Sequence, residues 1–161
     1  MNDAMNGSGA VYVGFGSPFV RVSLLTIQGF VALTAFAGGT ALVVGSLNSG
    51  LDSALVPPIE YLEGSPFRSY VIPGVLLGAV LGGVHLVAFL MLLRRHRWSH
   101  FISAAAGFGA LIWIFVQMVF IPFSPLQAVY FLAGLAELGF VLLGLGVLRP
   151  AAIPAERRGE Q

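Results

Sequence analysis

The chain has 161 residues, of which 57% are hydrophobic and 9% charged, with a formal net charge of +1. Charged residues make up about 25% of an ordinary soluble domain, so this chain cannot cover itself for water, and nothing in it suits a nucleic-acid partner. It has no cysteine, which excludes thiol redox chemistry, thiolate metal sites and cysteine-linked lipid anchors.

Taken in chain order, the first twenty residues are rich in Gly, Ser and Asn. They lack the basic start and following apolar stretch of a secretory signal, so the first helix is expected to stay in the mature protein. Four apolar segments follow, at 22–47, 69–93, 99–121 and 125–148, and none contains Asp, Lys or Arg. Each exceeds the roughly 20 residues needed to cross about 30 Å of hydrocarbon. No alternation of lipid-facing and lumen-facing residues suggests a barrel. The expected fold class is an all-α membrane protein, an up-and-down bundle of four transmembrane helices over 22–148. Its 1–21 and 149–161 tails are expected in the cytoplasm.

The connections carry the orientation. Arg21 precedes the first segment, Arg94, Arg95, His96 and Arg97 form a compact basic turn, and Arg149, Arg157 and Arg158 follow the last segment. The loop at 48–68 instead carries Asp52, Glu60 and Glu63 against Arg68 alone. The positive-inside rule therefore places the basic turn and both tails on the cytoplasmic side, and four crossings make those assignments agree. Within the outer loop, Pro57 and Pro58 can start a short interfacial helix through Leu62, with Gly64 placed to end it. Ser65 with Pro66 resembles an N-cap and first helical position, so the second helix is expected to begin near there. Pro73 with Gly74 should bend that helix. Pro122 and Pro125 interrupt any continuous helix and force a hairpin between the third and fourth segments.

Lipid supplies no hydrophobic drive between helices, so close approach at small residues is the expected glue. Gly74, Gly78 and Gly82 recur at four-residue spacing, with Ser103 and Gly107 in the third segment and Ala37, Gly38 and Gly39 in the first. These residues serve packing within the bundle or a self-association face.

Glu137 is the most expensive residue, because a buried carboxylate must be paired, hydrated or protonated. It lies 11 positions before Leu148, hence about 16 Å deep at about 1.5 Å per residue. His85 lies 9 positions before Arg94, about 13 Å deep from the same side. The two can therefore meet, as a structural bond between helices or as a proton-handling or ligand-anchoring pair. Gln117 and Gln127 flank the proline hairpin as further polar candidates for ligand contact or mutual hydrogen bonding. Trp113, Tyr130, Tyr70, Phe67 and Trp98 suit interfacial or packing aromatics. No histidine on another helix matches the depth of His85 for haem ligation, and no phosphate loop, zinc signature, catalytic-serine elbow or acidic metal cluster is present. No catalytic residue, metal or cofactor is expected.

The stretch from Leu62 through Glu63, Gly64, Ser65, Pro66 and Phe67 to Tyr70, Ile72, Pro73 and Gly74 resembles a group of uncharacterised small bacterial four-helix membrane proteins. Trp113, Gln117, the hairpin from Ile121 to Gln127 and Tyr130 extend the likeness. The Arg-only basic set and the abundance of Ala, Gly, Val and Leu suit an actinobacterial-type source. The resemblance implies the four-helix topology, an inner-membrane location and one external unit made of the outer loop and hairpin. Two functions are open at this point. One is an accessory or structural subunit, with the bilayer and a membrane protein or a second copy as partners. The other is a carrier or binding protein for a small hydrophobic or proton-coupled ligand that uses Glu137 and His85.

Overall fold

The structure is a computed structural model that describes residues 18–48 and 50–147. The expected tails beyond them, with Leu148, Arg149, Arg157 and Arg158, lie outside the described residues. Four long apolar helices make up the fold: α1 (Pro18–Leu47), α2 (Val71–Leu93), α3 (Ser99–Phe120) and α4 (Pro125–Gly144). They have the length and composition to cross a membrane, and there is no strand among the described residues. Many large apolar side chains point outward, including Leu33, Phe108, Phe115 and Leu132. In a four-helix bundle that outward face requires an apolar solvent.

Each helix packs on its two chain neighbours, and α1 closes the ring against α4. The result is an up-and-down bundle. The start of α1, the 94–97 turn and the end of α4 share one end, as shown by the Arg21 Nη2 bond to the Leu93 carbonyl at 3.1 Å and by Gly144 lying beside His100 and Val20. We call this the basic end and the opposite one the loop end.

Helix boundaries differ from the hydropathy limits for local reasons. The described part of α1 runs from Pro18, ahead of the hydropathy limit. Arg21 therefore lies within α1 and reaches back to the end of α2. Helix α2 starts at Val71, later than expected, because Ser65 spends its hydroxyl on the Phe67 N–H at 3.2 Å and leaves Pro66 in a turn. Pro73 sits in the first turn and breaks nothing. The irregularity of α2 lies farther on, where Leu77–Gly82 widens into a π-helix and the Gly83 N–H reaches back to the Gly78 carbonyl.

Helix α4 ends at Gly144, four residues before the expected limit. Gly146 has φ 68°, and the Val147 and Gly146 N–H groups bond to the carbonyls of Leu142 and Leu143. This is a Schellman stop, and it needs the left-handed backbone that glycine adopts freely. The end of α2 has the same pattern with Arg95 in the left-handed position, at φ 53°.

In the outer loop, Ile59–Leu62 forms one 3-10 turn after Pro58, and Gly64 follows at φ 80°. A short helix at Asp52–Leu55 was not anticipated. Tyr70, only 3% exposed, donates its hydroxyl to the Pro58 carbonyl at 2.9 Å and fastens this loop to the start of α2.

Small residues set two of the helix contacts. A Cβ on Gly39 would lie 2.5 Å from the Gly74 carbonyl oxygen, and one on Gly74 would lie 2.8 Å from that of Gly39. The α1 and α2 backbones thus touch at this pair. Gly107 and Gly134 make the corresponding contact between α3 and α4, each facing the other's carbonyl at 3.2 and 3.1 Å. Gly78 and Gly82 leave more room, with nearest side chains at 3.8 and 3.4 Å.

Candidate functional site: a buried polar layer

Two apolar clusters fill the bundle. Val20, Leu24, Leu92 and Val141 pack toward the basic end, and Val31, Ala35, Leu81 and Ala110 pack toward the loop end. Between them each helix contributes one polar side chain: Gln28 from α1, His85 from α2, Ser103 from α3 and Glu137 from α4. All four are fully buried. Seven positions separate Glu137 from Gly144, about 10 Å of helix, so the layer lies nearer the basic end than the sequence estimate placed it.

Hydrogen bonds run from Ser103 through Gln28 to Glu137. The Gln28 amide nitrogen donates one hydrogen to Ser103 Oγ and the other to Glu137 Oε1, both at 2.7 Å. His85 Nε2 stands 3.3 Å from Glu137 Oε2, within ion-pair range but without the alignment of a hydrogen bond. His85 Nδ1 lies 2.8 Å from the Leu81 carbonyl. A carbonyl can only accept, so Nδ1 carries a hydrogen and the tautomer is fixed. The facing Nε2 and Oε2 would repel if both were bare or both protonated. Gln28 Oε1, His85 Nε2 and Glu137 Oε2 are buried without a hydrogen-bond partner among the described residues.

The sequence anticipated Glu137 and His85 as a pair, and the structure brings them together. It gave Ser103 only a packing role, and it missed Gln28. The available signal was an amide inside an apolar segment, with Gln28 and Glu137 both about a third to a half of the way along their helices from the basic end. Gln117 and Gln127 do not join this layer. Gln127 belongs to a capping box, in which its side chain accepts from the Ser124 N–H at 2.9 Å and its own N–H reaches Ser124 Oγ at 3.4 Å. Its role in the fold is to start α4. Gln117 is half-buried and lines two cavities toward the loop end.

Cavities lie at both ends of the bundle, and Gln28, His85 and Glu137 are not among the residues lining the two described next. An apolar cavity of about 250 Å³ lies under the outer loop among Tyr61, Phe67, Tyr70, Pro73, Trp113 and Gln117. A cavity of about 420 Å³ opens at the basic end. Among the described residues no group of three or more His, Asp and Glu side chains could hold a metal ion. No protein-family model, curated protein sequence or solved structure matches the chain.

Proposed function

We propose that the protein is an accessory or structural subunit of a bacterial inner membrane, in which the polar layer locks the register of four lipid-facing helices. The observation that carries this reading is the closure of the layer. Both oxygens of Glu137 face side chains within the protein, Gln28 and His85, the carboxyl group is fully buried, and neither the basic-end cavity nor the cavities beside Gln117 are lined by it. A carboxylate used for transport needs access to water or substrate. For orientation, Arg21, Arg94, Arg95 and Arg97 gather at one end while Glu60 and Glu63 accompany Arg68 at the other. By the positive-inside rule we assign the basic end to the cytoplasm.

A second reading rests on the apolar cavity beside Gln117. Its walls suit a small hydrophobic molecule with one polar group facing the amide. This carrier reading places the ligand at the loop end and not at Glu137. Native mass spectrometry of the protein extracted gently from its own membrane separates the two. A protein partner at fixed stoichiometry supports the accessory subunit, whereas a bound small molecule lost on Gln117→Leu supports the carrier.

A further inference from the structure

The cavity at the basic end is lined by Arg21, Arg95, His96, Arg97, Ser99 and His100 above an apolar floor that includes Leu24 and Leu92. Three arginines from two segments of the chain thus line one opening of about 420 Å³, and the Arg97 guanidinium also lies 5.4 Å from the centre of the Trp98 ring. Among the described residues no carboxylate pairs with any of them, and the only acidic side chain in ion-pair contact is Glu137, deep in the polar layer. Arg21 is held in place by its Nη2 bond to the Leu93 carbonyl, yet its Nε is buried and has no acceptor. A buried guanidinium N–H without an acceptor is costly unless a ligand supplies one. The opening also contains the first residues of α3, whose N–H groups and dipole favour an anion.

We propose that this cavity binds a phosphate-bearing anion, with the guanidinium of Arg21 as its inner contact and those of Arg95 and Arg97 as its outer ones. Guanidinium forks match phosphate oxygens in pairs. The cavity lies where helix ends meet the membrane surface, and its apolar floor continues into the bundle. An anionic phospholipid headgroup is the source this position favours, and a free phosphate shares the chemistry.

Arg95 offers a variant that separates binding from folding. Its backbone is left-handed at φ 53°, so Arg95→Gly relieves backbone strain while removing one ligand group. The experiment is native mass spectrometry of the full chain released from nanodiscs containing equal phosphatidylglycerol and phosphatidylcholine, with inorganic phosphate added in a parallel arm. The expected result is selective retention of phosphatidylglycerol, weakened about tenfold in Arg95→Gly and further in Arg95→Gly with Arg21→Gln, while the thermal midpoint of Arg95→Gly does not fall. Displacement of the lipid by millimolar inorganic phosphate, with the same dependence on the arginines, identifies free phosphate as the source. Equal retention of the two lipids with no phosphate binding, or retention unchanged in both variants, overturns the proposal.

Discussion

Gln28 and Ser103 join α1 to α3 across one diagonal of the bundle at 2.7 Å, while His85 and Glu137 span the other at 3.3 Å. The Gln28 bond to Glu137 ties the two diagonals together. Helices in such a ring pack mainly on their neighbours, so links across the diagonal fix which helix sits opposite which. Lipid cannot do this, because it solvates every apolar face equally.

Gln28 should therefore matter as much as the charged pair. Gln28→Leu removes two donors and leaves Glu137 Oε1 and Ser103 Oγ without them. Interhelical bonds in membranes contribute about 1 kcal/mol each, so we predict a loss of about 2 kcal/mol in reversible unfolding from detergent micelles. A loss no larger than that of an exposed control such as Leu33→Ala would show that the amide bonds contribute nothing.

His85 and Glu137 should behave as one coupled pair. Removing either alone strands a buried polar group, at a cost of about 3 kcal/mol or more. The double variant His85→Leu with Glu137→Leu replaces the pair by apolar groups and should fall well short of the sum of the single losses. Strict additivity in the same unfolding assay would mean that the two side chains do not interact.

The packing glycines are unequal despite their regular spacing. Gly39→Ala forces a Cβ against the backbone of α2 and should lower stability by about 2 kcal/mol or more. Gly78→Ala meets only Phe36 at 3.8 Å and should be neutral or stabilising, since alanine is the better helix former by about 1 kcal/mol. Thermal midpoints of the two variants, measured side by side, decide whether the contact or the spacing matters.

Much of this was legible in the sequence, and the limits were physical. Hydropathy located all four spans because lipid selects for apolar length. It missed the end of α4 because Gly146 acts through backbone geometry, which hydropathy does not measure. Glu137 and His85 stood out because their burial is costly. Gln28 did not, since a neutral amide is less conspicuous, and only the rotation of α1 shows that it faces inward. Ser124, Pro125 and Gln127 form a capping box whose Ser and Gln also read as ordinary polar residues of a proline hairpin.

The outer loop should depend on Tyr70. Burial pushes its phenol above the ordinary value of 10.0, and Tyr61 and Glu60 add smaller effects in the same direction. The folded state holds the proton more tightly than the unfolded state, so this contribution is complete below the unfolded value and is lost as pH rises through the folded one. Tyr70→Phe should loosen the loop at neutral pH, where the phenol is protonated, at a cost of about 1 kcal/mol. It should also abolish any loop release seen above about pH 10. Proteolysis within the 59–64 segment, followed against pH, checks both expectations.

The structural role of the polar layer is tested most directly by comparing the unfolding free energies of Glu137→Gln and Glu137→Ala. An amide at this position can accept from Gln28 and donate to His85 Nε2, keeping both contacts without the carboxyl group. We predict that Glu137→Gln stays within about 1 kcal/mol of the parent while Glu137→Ala loses about 3 kcal/mol or more. Equal and large losses in both would contradict the account, because they would show that the layer depends on the carboxyl group itself and its proton.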